Sequence, residues 1–191
     1  MRKALSYDDV LLTPTYSDIR SRSEISINAD LGKGLKLRIP VIASPMDTIS
    51  EAAMAIELGY LGGAAVIHRY NTVEMQARNV SMAKDLAGAA FLCVDVAHGH
   101  HILMQEALTS LRNLFGFDLH IMAGNVATLE GINALADWGA NSVRCNIGGG
   151  SICSTRVQTG HGMPGLQTII DCAKTDRDVA IIADGGTREG F

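Results

Sequence analysis

The sequence predicts an α/β fold in which parallel strands alternate with helices, the arrangement that closes into a (β/α) barrel. Short apolar runs rich in β-branched residues recur without polar alternation, which is typical of strands buried on both faces. Amphipathic stretches separate these runs and supply the helices of right-handed βα units. Every run also ends in a cluster of glycine and polar residues. The carboxyl ends of barrel strands open on one face, where such clusters form an active site.

Six strands and five helices are predicted, after an irregular lead-in over residues 1–37 with room for one short hairpin. The apolar runs place strands at residues 39–43, 62–67, 91–96, 120–123, 142–147 and 179–183. Helical periodicity places helices at residues 50–58, 72–84, 102–114, 129–138 and 166–173, with Thr72 as an N-cap. Any single strand-end cluster also fits an ordinary turn, but six on the same side of their strands favour a site.

Length and composition indicate one globular domain over residues 1–191. The net charge of −4 gives no broad electrostatic attraction to a nucleic acid polymer. No run of about 18 apolar residues is present, so no membrane-spanning helix is expected. Asp8 and Asp9 interrupt the N-terminal stretch where a signal peptide needs an apolar core, so we expect a cytoplasmic protein.

Cysteine usage singles out one residue. The four cysteines, Cys93, Cys145, Cys153 and Cys172, lack CxxC pairs, so we expect thiols rather than disulfides or zinc ligands. Cys153 lies past a strand end in the run GGGSICSTR, residues 148–156, called the cysteine loop below. Its glycines let backbone amides approach anionic oxygens, and Ser151 adds a hydroxyl. Such a loop favours the thiolate, which attacks carbon, whereas the other three are expected to be small buried hydrophobes.

Polar groups at two further strand ends are candidate ligand contacts. The carboxylate of Asp184 is placed to accept hydrogen bonds from ribose hydroxyls, and Gly185 and Gly186 to expose amides to a phosphate. Asp-Gly-Gly is also an ordinary turn. Asn125 presents an uncharged amide, for which a ligand contact and a structural turn role stay equally open.

The remaining polar residues near strand ends are charged or titratable. Asp95 suits a ribose or nicotinamide group, and it opens a segment with several histidines. Metal binding is disfavoured because the adjacent His100 and His101 would point apart, and no i, i+4 histidine pair exists. Arg144 lies inside an apolar run, so it should be paired or face a ligand. Arg156 is interpreted as a brace for the cysteine loop.

Together these segments resemble the IMP dehydrogenase/GMP reductase family over nearly the whole chain. The resemblance rests on LSYDDVLL at residues 5–12, SPMDT at 44–48, Asp95 with HGH at 98–100, AGNV at 123–126, the cysteine loop and ADGG at 183–186. It implies a TIM (β/α)8 barrel. It also implies that the thiolate of Cys153 attacks purine C2, with hydride passing between that carbon and a nicotinamide: NADPH for a reductase, or NAD for a dehydrogenase.

The resemblance implies roles for individual residues. Cys153 and Thr155 would be catalytic, with Thr155 close to the reacting base. Asp95 and Asn125 would face the cofactor. The residues that would hold GMP or IMP are Ser44, Met46, Ser151, Asp184, Gly185 and Gly186. The backbone groups that would bind a monovalent cation, typically K+ (potassium), belong to Gly148, Gly150 and Cys153. The family assembles as tetramers, so a homotetramer is expected.

GMP reductase is favoured over IMP dehydrogenase. Most dehydrogenases carry a paired regulatory domain after the second barrel strand, whereas here HRY at residues 68–70 leads straight into the next helix. Residues 155–166 also look more like those of reductases. Because SPMD at 44–47 and HGH at 98–100 look more like bacterial dehydrogenases, a dehydrogenase without the regulatory insert stays the alternative.

Three departures from the family pattern stand out. About one βα unit is absent around residues 85–96, where AGAA runs directly into FLCVD. Residues 1–191 hold no counterpart of the eighth strand, the rest of the phosphate site or the mobile flap, whereas a complete barrel takes about 250 residues. The sequence leaves open whether these parts belong to a longer polypeptide. Asn146 replaces the usual glycine, and would either alter the backbone entering the loop or take a left-handed position.

Two other classes of function stay open. A non-catalytic relative would bind a purine nucleotide, or pair with a full-length subunit, without turnover. An unrelated phosphate-binding barrel would match in its glycine loops by chance, which the ordered series of motifs disfavours. Neither class predicts hydride transfer.

Overall fold

The chain divides into two compact units. The computed structural model describes residues 3–32, 34–87, 91–150 and 153–187, without the side chains of Lys84 and Ala87. The small unit comprises Pro14–Phe91, and the large unit comprises Met1–Thr13 with Leu92–Phe191. The expectation that residues 1–191 form one catalytic domain without a regulatory insert stays a prediction.

The small unit contains a hairpin, a two-stranded parallel sheet and two helices. Its elements are a 3-10 turn (Arg22–Glu24), β1 (Ala29–Asp30), β2 (Lys36–Leu37), β3 (Ile42–Ala43), α1 (Ala52–Leu61), β4 (Ala64–Ala65) and α2 (Val73–Ala87). β1 pairs antiparallel with β2, and β3 pairs parallel with β4. The Thr72 hydroxyl accepts a hydrogen bond from the Met75 amide over 3.2 Å. The predicted hairpin and the predicted N-cap are therefore confirmed.

The large unit is built on a four-stranded parallel sheet in the order β5-β6-β7-β8. Its elements are a 3-10 turn (Tyr7–Asp9), β5 (Leu92–Asp95), α3 (Ile102–Phe115), β6 (Ile121–Val126), α4 (Leu129–Asp137), β7 (Ser142–Cys145), α5 (Thr155–Thr159), α6 (Gly165–Cys172) and β8 (Ala180–Ala183). The register aligns Asp95 with Gly124, Gly124 with Arg144, and Arg144 with Ile182. The carboxyl ends of all four strands therefore share one edge.

The core of the large unit lies between the sheet and its helices. Leu108 of α3, Ile132 and Leu135 of α4, and Ile121 and Val143 of the sheet have no exposed surface. Burying an aliphatic side chain of this size contributes about 1.5–3 kcal/mol relative to leaving it in water. This packing fixes the strands side by side, and hence fixes the polar residues at their ends.

The predicted elements are confirmed. Strands β3 to β8 correspond to the six predicted strands, and five helices, all but α5, correspond to the predicted ones. The helix α5 and the 3-10 turns were missed because three to five residues are too short for a helical period to show. Alternating β and α units with a parallel sheet form an incomplete TIM-barrel fragment. In the described part of the chain, no helix has both the length and the apolar character needed to cross a membrane.

Candidate active site

The carboxyl edge of the four-stranded sheet carries a continuous polar network. Arg144, in β7, donates one hydrogen bond to the carboxylate of Asp95 at the end of β5, and another to Asp184 Oδ2 over 2.9 Å. The side-chain amide of Asn125, in β6, also donates to the carboxylate of Asp184. The prediction that Arg144 is paired is confirmed. Asp95 and Asn125, expected to face the cofactor, thus share one hydrogen-bond network with Asp184, expected to hold the nucleotide.

The charges of this network depend on one another. Arg144 is only 5% exposed, so its guanidinium needs compensating charge. Burial acts to lower the pKa of Arg144, but Asp184 and Asp95 outweigh it and hold that pKa above its ordinary value. The side chain of Asp95 remains 34% exposed. Asp95 therefore keeps carboxylate surface on which a ligand hydroxyl can bind.

The cysteine loop follows β7 and leads into α5. Gly148 has a φ of 78°, a left-handed conformation that favours glycine. The Arg156 guanidinium donates to the carbonyl of Gly148 and, over 3.0 Å, to that of Gly150. The interpretation of Arg156 as a brace is confirmed. Ser151 lies outside the described residues, so its role in holding the nucleotide stays a prediction.

Cys153 is a partly buried free thiol whose surroundings favour the thiolate. The hydroxyl of Thr155 and then its backbone amide hydrogen-bond to the sulfur and lower the pKa of Cys153, with help from the positive charge of Arg156. Desolvation opposes these effects but is outweighed. A thiol with a lowered pKa at a partly exposed position is typical of a reactive cysteine.

The other cysteines fit their predicted structural role to different degrees. Cys145 and Cys172 are buried, as expected, with 1% and 0% exposure. Hydrogen bonding between their thiols raises the pKa of Cys145 and lowers that of Cys172, but neither sulfur is open to a substrate. Cys93 is only partly buried, although its burial is enough to raise the pKa of its thiol to about 11. Cys153 is therefore the best candidate nucleophile among the four.

A cleft of about 390 Å³ opens between the cysteine loop and the turn at residues 184–186. Its volume is within the range of small-molecule sites. The lining includes Tyr7, Gly148, Gly149, Arg156, Gly165 and Gly186. Three segments that carry the family resemblance, LSYDDVLL, the cysteine loop and ADGG, therefore surround one cavity. Cys153 is not among the lining residues.

Asn146 follows β7 directly and connects the cysteine loop to the 184–186 turn. Its side-chain amide donates to the carbonyls of Asp184 and Gly185 over 2.9 and 3.2 Å. The expectation of a left-handed conformation at this position is wrong, because Thr48 is the one non-glycine residue with positive φ in the described ranges. The sequence signalled Asn146 as unusual but gave no indication of its contacts.

Two residues expected to hold the nucleotide lie in the small unit. Ser44 is half-buried and its carbonyl accepts a hydrogen bond from the Ser50 hydroxyl, whereas Met46 is 37% exposed. Their part in the site stays a prediction. In the same unit, His68 is 1% exposed, with Nε2 3.4 Å from Glu51 Oε1 and 3.8 Å from Asp47 Oδ1. Sequence reasoning missed this contact because its partners come from different elements.

Two possible bound groups differ in how well the residues fit them. The carbonyls of Gly148 and Gly150 accept hydrogen bonds from the Arg156 guanidinium, whose positive charge disfavours a potassium ion beside them, and that site stays a prediction. A nicotinamide cofactor fits better. Asn125 Oδ1 is buried with no hydrogen-bond partner in the described part of the chain, and a carboxamide N–H would satisfy it.

The segment after β5 caps the helix that follows it. His101 Nδ1 accepts a hydrogen bond from the Leu103 amide over 3.1 Å and so caps α3. The rings of His98 and His100 lie 6.5 Å apart, and His100 lies 5.9 Å from Trp138. Searched over the described ranges, no group of three or more His, Cys, Asp or Glu is arranged to hold a metal ion.

A parallel α/β sheet with a glycine-lined cleft and a thiol of lowered pKa at its carboxyl edge is the arrangement of a barrel-type α/β fold with its site at the strand ends. The model of the IMP dehydrogenase / GMP reductase domain matches residues 4–90 and 83–190. The chain belongs to this family. The two matches overlap at residues 83–90, next to the place where the sequence predicts the missing βα unit, which stays a prediction.

Individual relatives come from both branches of the family. The chain is 28% identical over 252 residues to an inosine-5'-monophosphate dehydrogenase of Cryptosporidium parvum, covering 97% of this chain and 62% of the relative. It is 33% identical over 214 residues to a GMP reductase of Vibrio cholerae, covering 95% and 61%. A GMP reductase of Phytophthora infestans is 31% identical over 213 residues, covering 95% and 59%. The chain thus spans about three fifths of the length of these relatives.

Proposed function

We propose that the protein is a purine-nucleotide oxidoreductase in which Cys153 bonds covalently to carbon C2 of the base. The observation that carries this proposal is the Cys153 thiol, whose pKa is lowered by Thr155 and Arg156 in a glycine-rich loop beyond β7. The favoured reaction is that of a GMP reductase. GMP, NADPH and two protons give IMP, ammonium and NADP⁺.

The proposed chemistry begins on the sulfur of Cys153. The thiolate attacks C2 of GMP and an S–C2 bond forms, while the exocyclic amine takes up one of the two protons and leaves as ammonia when its bond to C2 breaks. The Thr155 hydroxyl, hydrogen-bonded to the sulfur, holds the thiolate for this attack. When bound, the nicotinamide supplies the hydride that replaces sulfur at C2. The S–C2 bond then breaks and the thiolate of Cys153 is restored.

The nucleotide is proposed to lie against the cleft beside the 184–186 turn. Gly186 lines the cleft with a φ of 78°, a conformation that lets its backbone approach a ligand closely. Asp184 precedes it, with a side chain 17% exposed, and is assigned to the ribose. Ser44, Met46 and Ser151 complete the proposed set.

The cofactor is proposed to lie beyond β5 and β6. The partly exposed carboxylate of Asp95 suits a ribose hydroxyl, and the buried Oδ1 of Asn125 suits a carboxamide donor. NADPH is the cofactor expected for the reductase, and NAD for the dehydrogenase. Arg144 holds Asp95, and so acts on the cofactor through it.

Two alternatives follow from the comparisons. An IMP dehydrogenase, converting IMP and NAD to XMP, is supported by the relative from Cryptosporidium parvum. A non-catalytic nucleotide-binding relative is motivated by the chain's span of about three fifths of its relatives. A cytoplasmic homotetramer is part of the proposal for either enzyme.

Turnover assays separate these possibilities. The full chain is mixed with GMP and NADPH, and separately with IMP and NAD⁺, while absorbance of the reduced nicotinamide is followed. We expect loss of absorbance with GMP and NADPH, abolished in Cys153→Ser. A gain with IMP and NAD⁺ assigns the dehydrogenase instead. Saturable binding of either nucleotide with no turnover in both mixtures contradicts the enzyme and supports the non-catalytic relative.

A further inference from the structure

We infer that Asn146 is a positioning residue whose side chain sets the spacing between the cysteine loop and the 184–186 turn. The residue is 5% exposed and follows the last residue of β7. Its consequence for substrate rests on the proposed function, because it assumes that the loop supplies the nucleophile and the turn holds the nucleotide. Its structural basis stands on contacts of the large unit alone.

One side of Asn146 is fixed to the neighbouring strand ends. Its backbone amide donates to the Val126 carbonyl over 3.0 Å, and its own carbonyl accepts from Asn125 Nδ2 over 2.9 Å. Its Nδ2 donates to the carbonyls of Asp184 and Gly185. The residue is thus tied both to the end of β6 and to the turn after β8.

The other side of the amide fills the space beneath the cysteine loop. A Cβ atom placed on Gly149 would lie 2.4 Å from Oδ1 and 2.6 Å from Nδ2 of Asn146. The two carbonyls of the turn require donors, so Nδ2 faces the turn and Oδ1 faces Gly149. A Cβ on Gly186 would lie 2.8 Å from the Gly149 carbonyl and 3.4 Å from Asn146 Nδ2. Loop and turn therefore meet across this one amide.

A glycine at position 146, the residue that the family resemblance leads one to expect, would remove this contact. The carbonyls of Asp184 and Gly185 would lose their donor, and the space under Gly149 would open. Because Gly149 and Gly186 both line the cleft, its width would change. With asparagine at position 146, a side-chain amide fills the space under Gly149. With glycine there, that space would be empty and the cleft would have a different width.

The test compares Asn146→Gly, Asn146→Ala, Gly149→Ala and the double variant Asn146→Gly/Gly149→Ala in the full chain. Asn133→Ala is the matched control. Its Oδ1 accepts from the Thr175 hydroxyl, so it also joins two elements, but between α4 and the loop that precedes β8. GMP affinity is measured by calorimetry, Cys153 alkylation by iodoacetamide through mass analysis, and hydrogen exchange in peptides that cover residues 146–150 and 184–187.

Both single changes at Asn146 should weaken GMP binding about tenfold, because two hydrogen bonds at the turn are lost. They should raise hydrogen exchange in both segments together and change the alkylation rate of Cys153. Asn133→Ala should lower thermal stability without either effect. Unchanged GMP affinity and unchanged exchange in Asn146→Ala would overturn the inference.

Comparing Gly149→Ala with the double variant Asn146→Gly/Gly149→Ala tests the packing separately from any loss of folding stability. Alanine at 149 should weaken GMP binding at least tenfold because its methyl group overlaps the amide. Asn146→Gly removes the overlap, so the double variant should bind GMP better than Gly149→Ala alone. Losses that simply multiply would contradict packing of Asn146 beneath the loop. If the wild-type chain binds neither GMP nor IMP, the proposed function fails, while coupled exchange of the two segments still decides the inference.

Discussion

Two buried arginines hold opposite edges of the four-stranded sheet, and their partners differ in kind. At the amino-terminal edge, Arg112 of α3 is 8% exposed and donates to the carbonyls of Gly116, Leu119 and Gly139 over 2.9, 2.8 and 2.8 Å. It also donates to the side chain of Asn141 over 2.5 Å. At the carboxyl edge, Arg144 pairs with the two carboxylates of Asp95 and Asp184.

The partners of the two arginines show that one edge of the sheet is built for stability and the other carries polar groups for a ligand. Arg112 satisfies carbonyls that follow α3 and α4, where helix ends leave acceptors without partners. It joins loops and leaves no charged side chain for a ligand. Arg144 instead orders two carboxylates, one of them a third exposed, where strand ends and the cleft supply a site. In barrels the amino-terminal face serves stability and the carboxyl face serves chemistry.

Arg144→Met should have the largest effect, on both stability and binding. Removing the guanidinium takes the positive charge away from two carboxylates at once, which costs about 3–5 kcal/mol for a buried pair. Urea unfolding should report this loss, and calorimetry should show weakened NADPH and GMP binding. Adding Asp95→Asn should restore part of the stability. A loss below about 1 kcal/mol would contradict a central role for this pair.

Arg112→Met should cost less and should leave binding intact. Several acceptors lose their donors, for an expected loss of about 2–4 kcal/mol of unfolding free energy. The measurement is urea unfolding, paired with GMP titration at a temperature where the variant is folded. Weakened GMP affinity in the folded variant would contradict the claim that the amino-terminal edge serves stability and not binding.

Much of the fold could be predicted from the sequence, because periodicity reports burial directly. The apolar runs gave every strand from β3 to β8. The polar residues at their ends pointed to the edge that carries Cys153. Burial of Arg112 could not be predicted, because an arginine in an amphipathic helix normally faces water, and its partners lie in loops up to 29 residues away.

The site was predictable as a set of residues but not as a network. Arg144 was expected to be paired, yet the identity of its partners depends on strand order, which brings together residues 40 and 49 positions apart. The same holds for Asn146 and the 184–186 turn. Conversely, the placement of Ser44 and Met46 in the small unit leaves their expected part in the site as a prediction.

Thr155→Val should have the smallest effect, confined to the reactivity of Cys153. The Thr155 hydroxyl lowers the pKa of this thiol, so its loss should raise that pKa towards its ordinary value of about 8.5. At pH values below this pKa, the variant has a smaller fraction of thiolate than the wild-type chain, so iodoacetamide should react severalfold more slowly with it. Above about pH 10 both thiols are ionised, and the rates of variant and wild-type chain should converge. A pH profile that coincides with that of the wild-type chain would contradict hydrogen bonding of Thr155 to the sulfur.

The role of Cys153 as nucleophile is tested most directly by the intact mass of the full chain after reaction with 2-chloroinosine 5'-monophosphate. A thiolate attacking C2 forms an S–C2 bond and expels chloride, leaving a stable thioether. We expect one adduct, mapped to Cys153, lost in Cys153→Ser and retained in Cys93→Ser. An adduct on Cys93, Cys145 or Cys172, or none on a wild-type chain that binds GMP, would contradict the assignment of Cys153 as the nucleophile.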